Sequence, residues 1–98
     1  MSERPLRILV VDDDPAMVGA ISALVGTEGH QVITAYDGLT AVKRFREEHP
    51  DIVLLDLSAG MDGITILAAL RNLPGGDRVP VLVLTSIEDI ESIRREGS

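Results

Sequence analysis

The chain has no cysteine and a single lysine, Lys43. Without cysteine there is neither a disulfide framework nor thiolate chemistry. No apolar run approaches the roughly 20 residues that a membrane-spanning helix needs. The opening Met1-Ser2-Glu3-Arg4-Pro5 also lacks the apolar stretch of a signal peptide. A cytoplasmic chain that does not engage membranes is therefore the expectation. Nine basic residues stand against sixteen acidic ones, for a net charge of −7, and the bases are scattered. Direct nucleic-acid binding requires clustered positive charge to displace counterions, and no such cluster is present. Neither G-x-x-x-x-G-K nor G-x-G-x-x-G occurs, so nucleotide hydrolysis and dinucleotide binding have no support.

What is present is a globular composition, 45% hydrophobic and 26% charged over 98 residues, enough for one small core. Leu6 to Val11 reads as a buried strand, short and rich in β-branched residues. Asp14-Pro15 looks like an N-cap followed by proline at the first helical position. Met17, Ile21, Leu24 and Val25 fall at helical spacing as a core face, with Gly29 as the stop. Gln31 to Tyr36 reads as a second strand and Asp37-Gly38 as a turn. A helix from Leu39 to Glu48 is expected to bury Val42 and Phe45 and to end before Pro50. Asp51 to Leu57 is a third strand, and Ile64 to Leu73 a helix with Ile66, Leu70 and Leu73 aligned. Val79 to Thr85 is a fourth strand. A last helix opens at Ser86, with acids in its first turn and Arg94 and Arg95 in its last. Strand and helix alternate four times without a linker, which argues a doubly wound parallel sheet.

Three strands close on polar residues: the first on Asp12-Asp13-Asp14, the third on Asp56, the fourth on Thr85-Ser86. In a parallel α/β sheet the carboxyl ends of adjacent strands form the ligand crevice. Acids gathered there repel one another and raise each other's pKa unless a cation sits among them. The pattern predicts a divalent metal and chemistry on phosphate. Asp14, before Pro15, is read as a cap only. His30 and His49 are isolated beside turns and are read as surface residues, and Tyr36 is assigned no role.

The stretches ILVVDDDPAM, GHQVITAYDG, PDIVLLDL, GMDGITIL and VPVLVLTS, in this order and spacing, resemble the receiver domain of two-component response regulators from Leu6 to Gly97. The resemblance implies a flavodoxin-like sheet of order 2-1-3-4, with the fifth strand and helix absent. It implies that Asp56 accepts a phosphoryl group from a sensor histidine kinase or phosphotransfer protein. Asp12 and Asp13 would match the acidic pair that holds Mg²⁺ (or Mn²⁺ in its place), together with Asp56 and the backbone carbonyl of Ser58. Thr85 would match the hydroxyl that turns toward the phosphoryl group and starts the switch. Such a module signals and is not a classical enzyme.

The family pattern also has a lysine at the end of the fifth strand, and Lys43 falls mid-helix, so no residue here matches it. The loop from Asp56 to Gly63 is one residue short and lacks the usual proline. The chain ends where the family would enter its fifth strand. The expectation is one receiver domain over residues 1–98, truncated and without an output domain. Its fourth strand would then be an unprotected edge, favouring self-association through that strand or by exchange of elements. The rival reading is a receiver-like fragment that serves only as an assembly or interaction module. Asp12-x-Asp14 also resembles the nucleophile motif of haloacid-dehalogenase-type phosphatases, but Ala16 stands where that family wants threonine or valine. A flavin phosphate, bound in a similar fold, would be repelled by three aspartates.

Overall fold

Two apolar runs too short for helices, Ile8–Val11 and Ile52–Leu55, lie side by side at the centre of a parallel sheet. The computed structural model describes residues 4–56 and 62–84. In chain order the elements are β1 (Arg7–Val11), α1 (Pro15–Thr27), β2 (Gln31–Ala35), α2 (Gly38–Glu48), β3 (Ile52–Asp56), α3 (Gly63–Arg71) and β4 (Val81–Leu84). The strand order is β2-β1-β3-β4, all parallel. The doubly wound topology expected from the alternation is therefore present.

Alternate side chains of each strand enter separate cores, as the pleat requires. Leu9, Val11, Ile33, Ala35, Val53 and Leu55 pack against Ala41 and Phe45 of α2 and against Ile66 and Leu70 of α3. On the opposite face Ile8 and Val10 meet Val18 of α1, flanked by Ile21, Val25, Val32, Ile52 and Leu54. Helices on both faces explain why β1 and β3 are apolar at successive positions rather than at every second one.

One expected helix face is corrected. Asp14 caps α1, its side chain accepting from Ala16 N at 3.0 Å, and Pro15 opens the helix. Met17 and Leu24, however, are 47% and 72% exposed, while Val18 is buried. The helix turns Val18, Ile21 and Val25 to the sheet instead. Its thirteen residues include no charge, so no polar face marks its outside, and packing alone chooses the stripe. Beyond it Gly29 takes a φ of +84°, the left-handed region glycine enters without strain.

The other boundaries move by one or two residues. In α2, Ala41 and Phe45 are fully buried and Val42 only partly. It stops at His49, left-handed at φ 49°, because Pro50 follows. In α3, Ile66 and Leu70 are buried and Leu73 packs at the margin. Strand pairing begins at Val81 rather than Val79, and the preceding Pro80 has no N–H to give the ladder, though its carbonyl accepts from Val53 N at 3.0 Å.

His30 is a second correction. It is partly buried, and its Nδ1 accepts from Leu6 N at 3.0 Å. Beside it Asp51 accepts from Arg7 N at 2.8 Å. The two side chains satisfy the backbone donors where the chain enters β1, a stitch between segments more than twenty residues apart in sequence. Among the described residues β4 forms one edge of the sheet, with Leu82, Val83 and Leu84 exposed. The expected helix after Ser86 lies outside the described residues.

Candidate functional site

β1 and β3 are adjacent and in register, Val11 opposite Leu55, so Asp12 and Asp56 fall at the same level of neighbouring strands. Asp12 continues the line of β1: its N–H donates to Ala35 O at 3.1 Å, and its side chain is 1% exposed. Its Oδ1 accepts from Asp14 N at 3.0 Å, while the buried Oδ2 has no hydrogen-bond partner among the described residues. Burial pushes the Asp12 carboxyl above the ordinary carboxylate range. The Asp14 N–H pulls it back in part, and the neighbouring Asp56 and then Asp13 push it up again.

This is an unfavourable place for a negative charge. A buried carboxylate with one oxygen lacking a donor, facing a second acid, is stabilised only by a proton or a cation. Asp13 is exposed and contributes mainly through its charge. Among the described residues no group of three or more His, Cys, Asp or Glu side chains stands together as a metal-holding cluster. Mg²⁺ does not require one. It takes one or two carboxylates and completes its octahedron with waters and phosphate oxygens. The orphaned Asp12 oxygen beside Asp56 fits such a hard cation.

Asp37 and Asp62 follow β2 and β3 on the same end of the sheet, yet neither joins this pair. Asp37 accepts from Thr40 N at 2.7 Å, and Asp62 takes both Thr65 N at 3.1 Å and Thr65 Oγ1 at 2.6 Å. Those bonds hold both carboxyls below the usual carboxylate range. Both begin an Asp-x-x-Thr pattern that marks a helix N-cap in the sequence. They fix where α2 and α3 start, and so frame the crevice without entering it. Lys43 is exposed mid-way along α2. The expected Ser58 ligand and the Thr85 hydroxyl lie outside the described residues.

A parallel sheet of order β2-β1-β3-β4, helices on both faces and paired acids at its carboxyl edge make up the flavodoxin-like architecture of a receiver domain. A family-wide sequence model of the response regulator receiver domain matches residues 8–96, and the chain belongs to that family. It is 41% identical over 83 residues to the response regulator PleD of Caulobacter vibrioides, covering 84% of this chain and 18% of that protein. The probable transcriptional regulatory protein TcrX of Mycobacterium tuberculosis is 37% identical over 89 residues, 90% of this chain and 37% of that protein. The chain thus spans well under half the length of these relatives.

Among solved structures, the receiver domain of sensor histidine kinase PA1611 from Pseudomonas aeruginosa aligns with a TM-score of 0.81 and 27% identity. The match covers 94% of this chain and 75% of that one. That structure has a magnesium ion coordinated in its active-site cleft. The N-terminal domain of a response regulator receiver protein from Methanoculleus marisnigri aligns with a TM-score of 0.76 and 32% identity, over 91% of this chain and 76% of that one.

Proposed function

We propose that this receiver domain accepts a phosphoryl group on Asp56 from the phosphohistidine of a sensor histidine kinase or phosphotransfer protein. The reading rests on one observation above all: a buried Asp12 oxygen without a donor, set beside the Asp56 carboxylate. A carboxylate oxygen of Asp56 attacks phosphorus, the P–N bond to the donor imidazole breaks, and an acyl phosphate forms. When bound, Mg²⁺ (or Mn²⁺ in its place) neutralises the charge of the acids and of the incoming phosphoryl group. Asp12 and Asp56 would hold it, Asp13 would add negative charge beside them, and the Ser58 carbonyl is the further ligand the family resemblance implies.

Asp12 contributes its buried Oδ2, and the backbone bond from Asp14 N to Oδ1 fixes the direction of that oxygen. Its burial keeps competing water from Asp12. The Thr85 hydroxyl donates to a phosphoryl oxygen and gains little from the unmodified acids, a differential affinity that biases one conformation over another. The signal leaves as a change of shape or of association in the cytoplasm. The apolar edge of β4 is the surface for self-association, by pairing or by exchange of elements.

The test is intact-mass measurement after treatment with a small phosphodonor, with and without Mg²⁺, on the wild type and on Asp56→Asn. A gain of one phosphoryl mass that needs the metal and disappears in the variant is the expected outcome. Absence of any gain in the wild type would assign the chain to the rival reading, an interaction module that is not switched by phosphorylation.

A further inference from the structure

The outer side of α2 carries a groove of about 460 Å³ lined by Leu39, Val42, Lys43, Arg46 and Glu47. These residues fall on two adjacent rows with fourfold spacing, Leu39-Lys43-Glu47 and Val42-Arg46. The trough between such rows is where a neighbouring helix lodges its own ridge of side chains. From Leu39 to Glu47 it runs about 12 Å, a little over two helical turns. Val42 gives it an apolar floor continuous with the core, and Leu39 stands 84% exposed at one end.

A single exposed leucine is ordinary. The charges beside it add to it. Arg4, Arg7 and Arg44 are each bridged to an acid, whereas Lys43 and Arg46, like Arg71 and Arg78 elsewhere, form no ion pair among the described residues. In a chain of net charge −7, two unpaired bases beside an apolar trough are complementary to a surface that is both apolar and acidic.

We propose that the α2 groove docks an amphipathic helix of a partner protein, its apolar ridge flanked by Asp or Glu. The ridge covers Leu39 and Val42, its carboxylates reach Lys43 and Arg46, and Glu47 repels a partner acid at the far end and so sets the register. This is the helix-in-groove mode of recognition. Among the described residues the surface is made by α2 alone, and it does not depend on the chemistry of Asp56.

The test uses two fluorescently labelled helical peptides with the same Leu/Ala ridge, one flanked by Glu and the other by Lys, titrated with the full chain and followed by anisotropy. The Glu-flanked peptide is expected to bind about tenfold or more tightly than its Lys-flanked counterpart and to weaken as salt is raised. Leu39→Glu and the pair Lys43→Glu/Arg46→Glu should each lower that affinity about tenfold, whereas Arg78→Glu, in the loop before β4, should leave it unchanged. Circular dichroism and retained phosphoryl acceptance report that the variants are folded, and Leu39→Ser replaces any that is not. Equal affinity for both peptides, absence of saturable binding, or indifference to the groove substitutions would overturn the proposal. So would displacement of the peptide by anionic phosphatidylglycerol vesicles through the same residues, which would identify a lipid surface instead.

Discussion

Asp12→Asn should make the metal-free protein more stable while weakening its response to Mg²⁺. The carboxylate is 1% exposed, and its Oδ1 already has a donor in Asp14 N. The substitution keeps that acceptor and replaces the orphaned Oδ2 with an amide that donates to Asp56, exchanging repulsion for a bond to a charged group. Such bonds contribute about 1.5–3 kcal/mol, and the partial solvent access of Asp56 argues for the low end. A gain of about 1–2 kcal/mol corresponds to a rise in Tm of roughly 5–10 °C for a domain of this size.

The pH dependence has a definite sign. Asp12 has a folded pKa above its ordinary value near 3.8, so its contribution to stability is intact below that value. It is lost as pH rises through the raised folded pKa. The advantage of Asp12→Asn is therefore largest at neutral pH and shrinks as the medium is acidified. Mg²⁺ at a hundredfold excess over its Kd would add about 2.7 kcal/mol to the wild type, and the variant, lacking one ligand carboxylate, should gain much less. Urea denaturation at pH 7, in chelator and in saturating Mg²⁺, reads both effects. A variant less stable than the wild type in chelator, or equal stabilisation of both by Mg²⁺, would refute the reasoning.

Two further outcomes follow from the geometry. Gly76 is buried, and a Cβ there would lie 1.8 Å from the Leu70 carbonyl oxygen, so Gly76→Ala must push the loop before β4 away from α3. That strains the bonds from Gly76 N to Leu73 O and from Arg71 to Gly76 O, a loss of about 2–4 kcal/mol in urea denaturation. The depressed carboxyls of Asp37 and Asp62 stabilise the fold above their ordinary pKa of 3.8, and that contribution is lost as pH falls through their lowered folded values. The double variant Asp37→Asn/Asp62→Asn should therefore show a flatter stability profile below about pH 4, read by thermal melts across pH.

The central strands were legible because burial on both faces leaves a continuous apolar run, and the helices because their caps are local. Asp14, Asp37 and Asp62 each bond to a backbone N–H within three residues, so their caps need no knowledge of the rest of the chain. Nothing near His30 in sequence marks it as more than a surface residue, because its partner, Leu6 N, is 24 residues away. The inward face of α1 is not legible in the sequence, where Met17 and Leu24 turn out and Val18 turns in, because a helix without charge carries apolar residues all round.

Taken alone, the order of residues determined that strands and helices alternate and that acids end the first and third strands. These depend on neighbours within a few residues, where backbone sterics and side-chain periodicity act. Only the folded sheet decided that Asp12 is sealed while Asp13 is open, and that, among the described residues, one Asp12 oxygen lacks a donor and Lys43 and Arg46 border a trough without forming an ion pair. Burial and charge balance are sums over groups distant in sequence, and they take a value only once packing has brought those groups together.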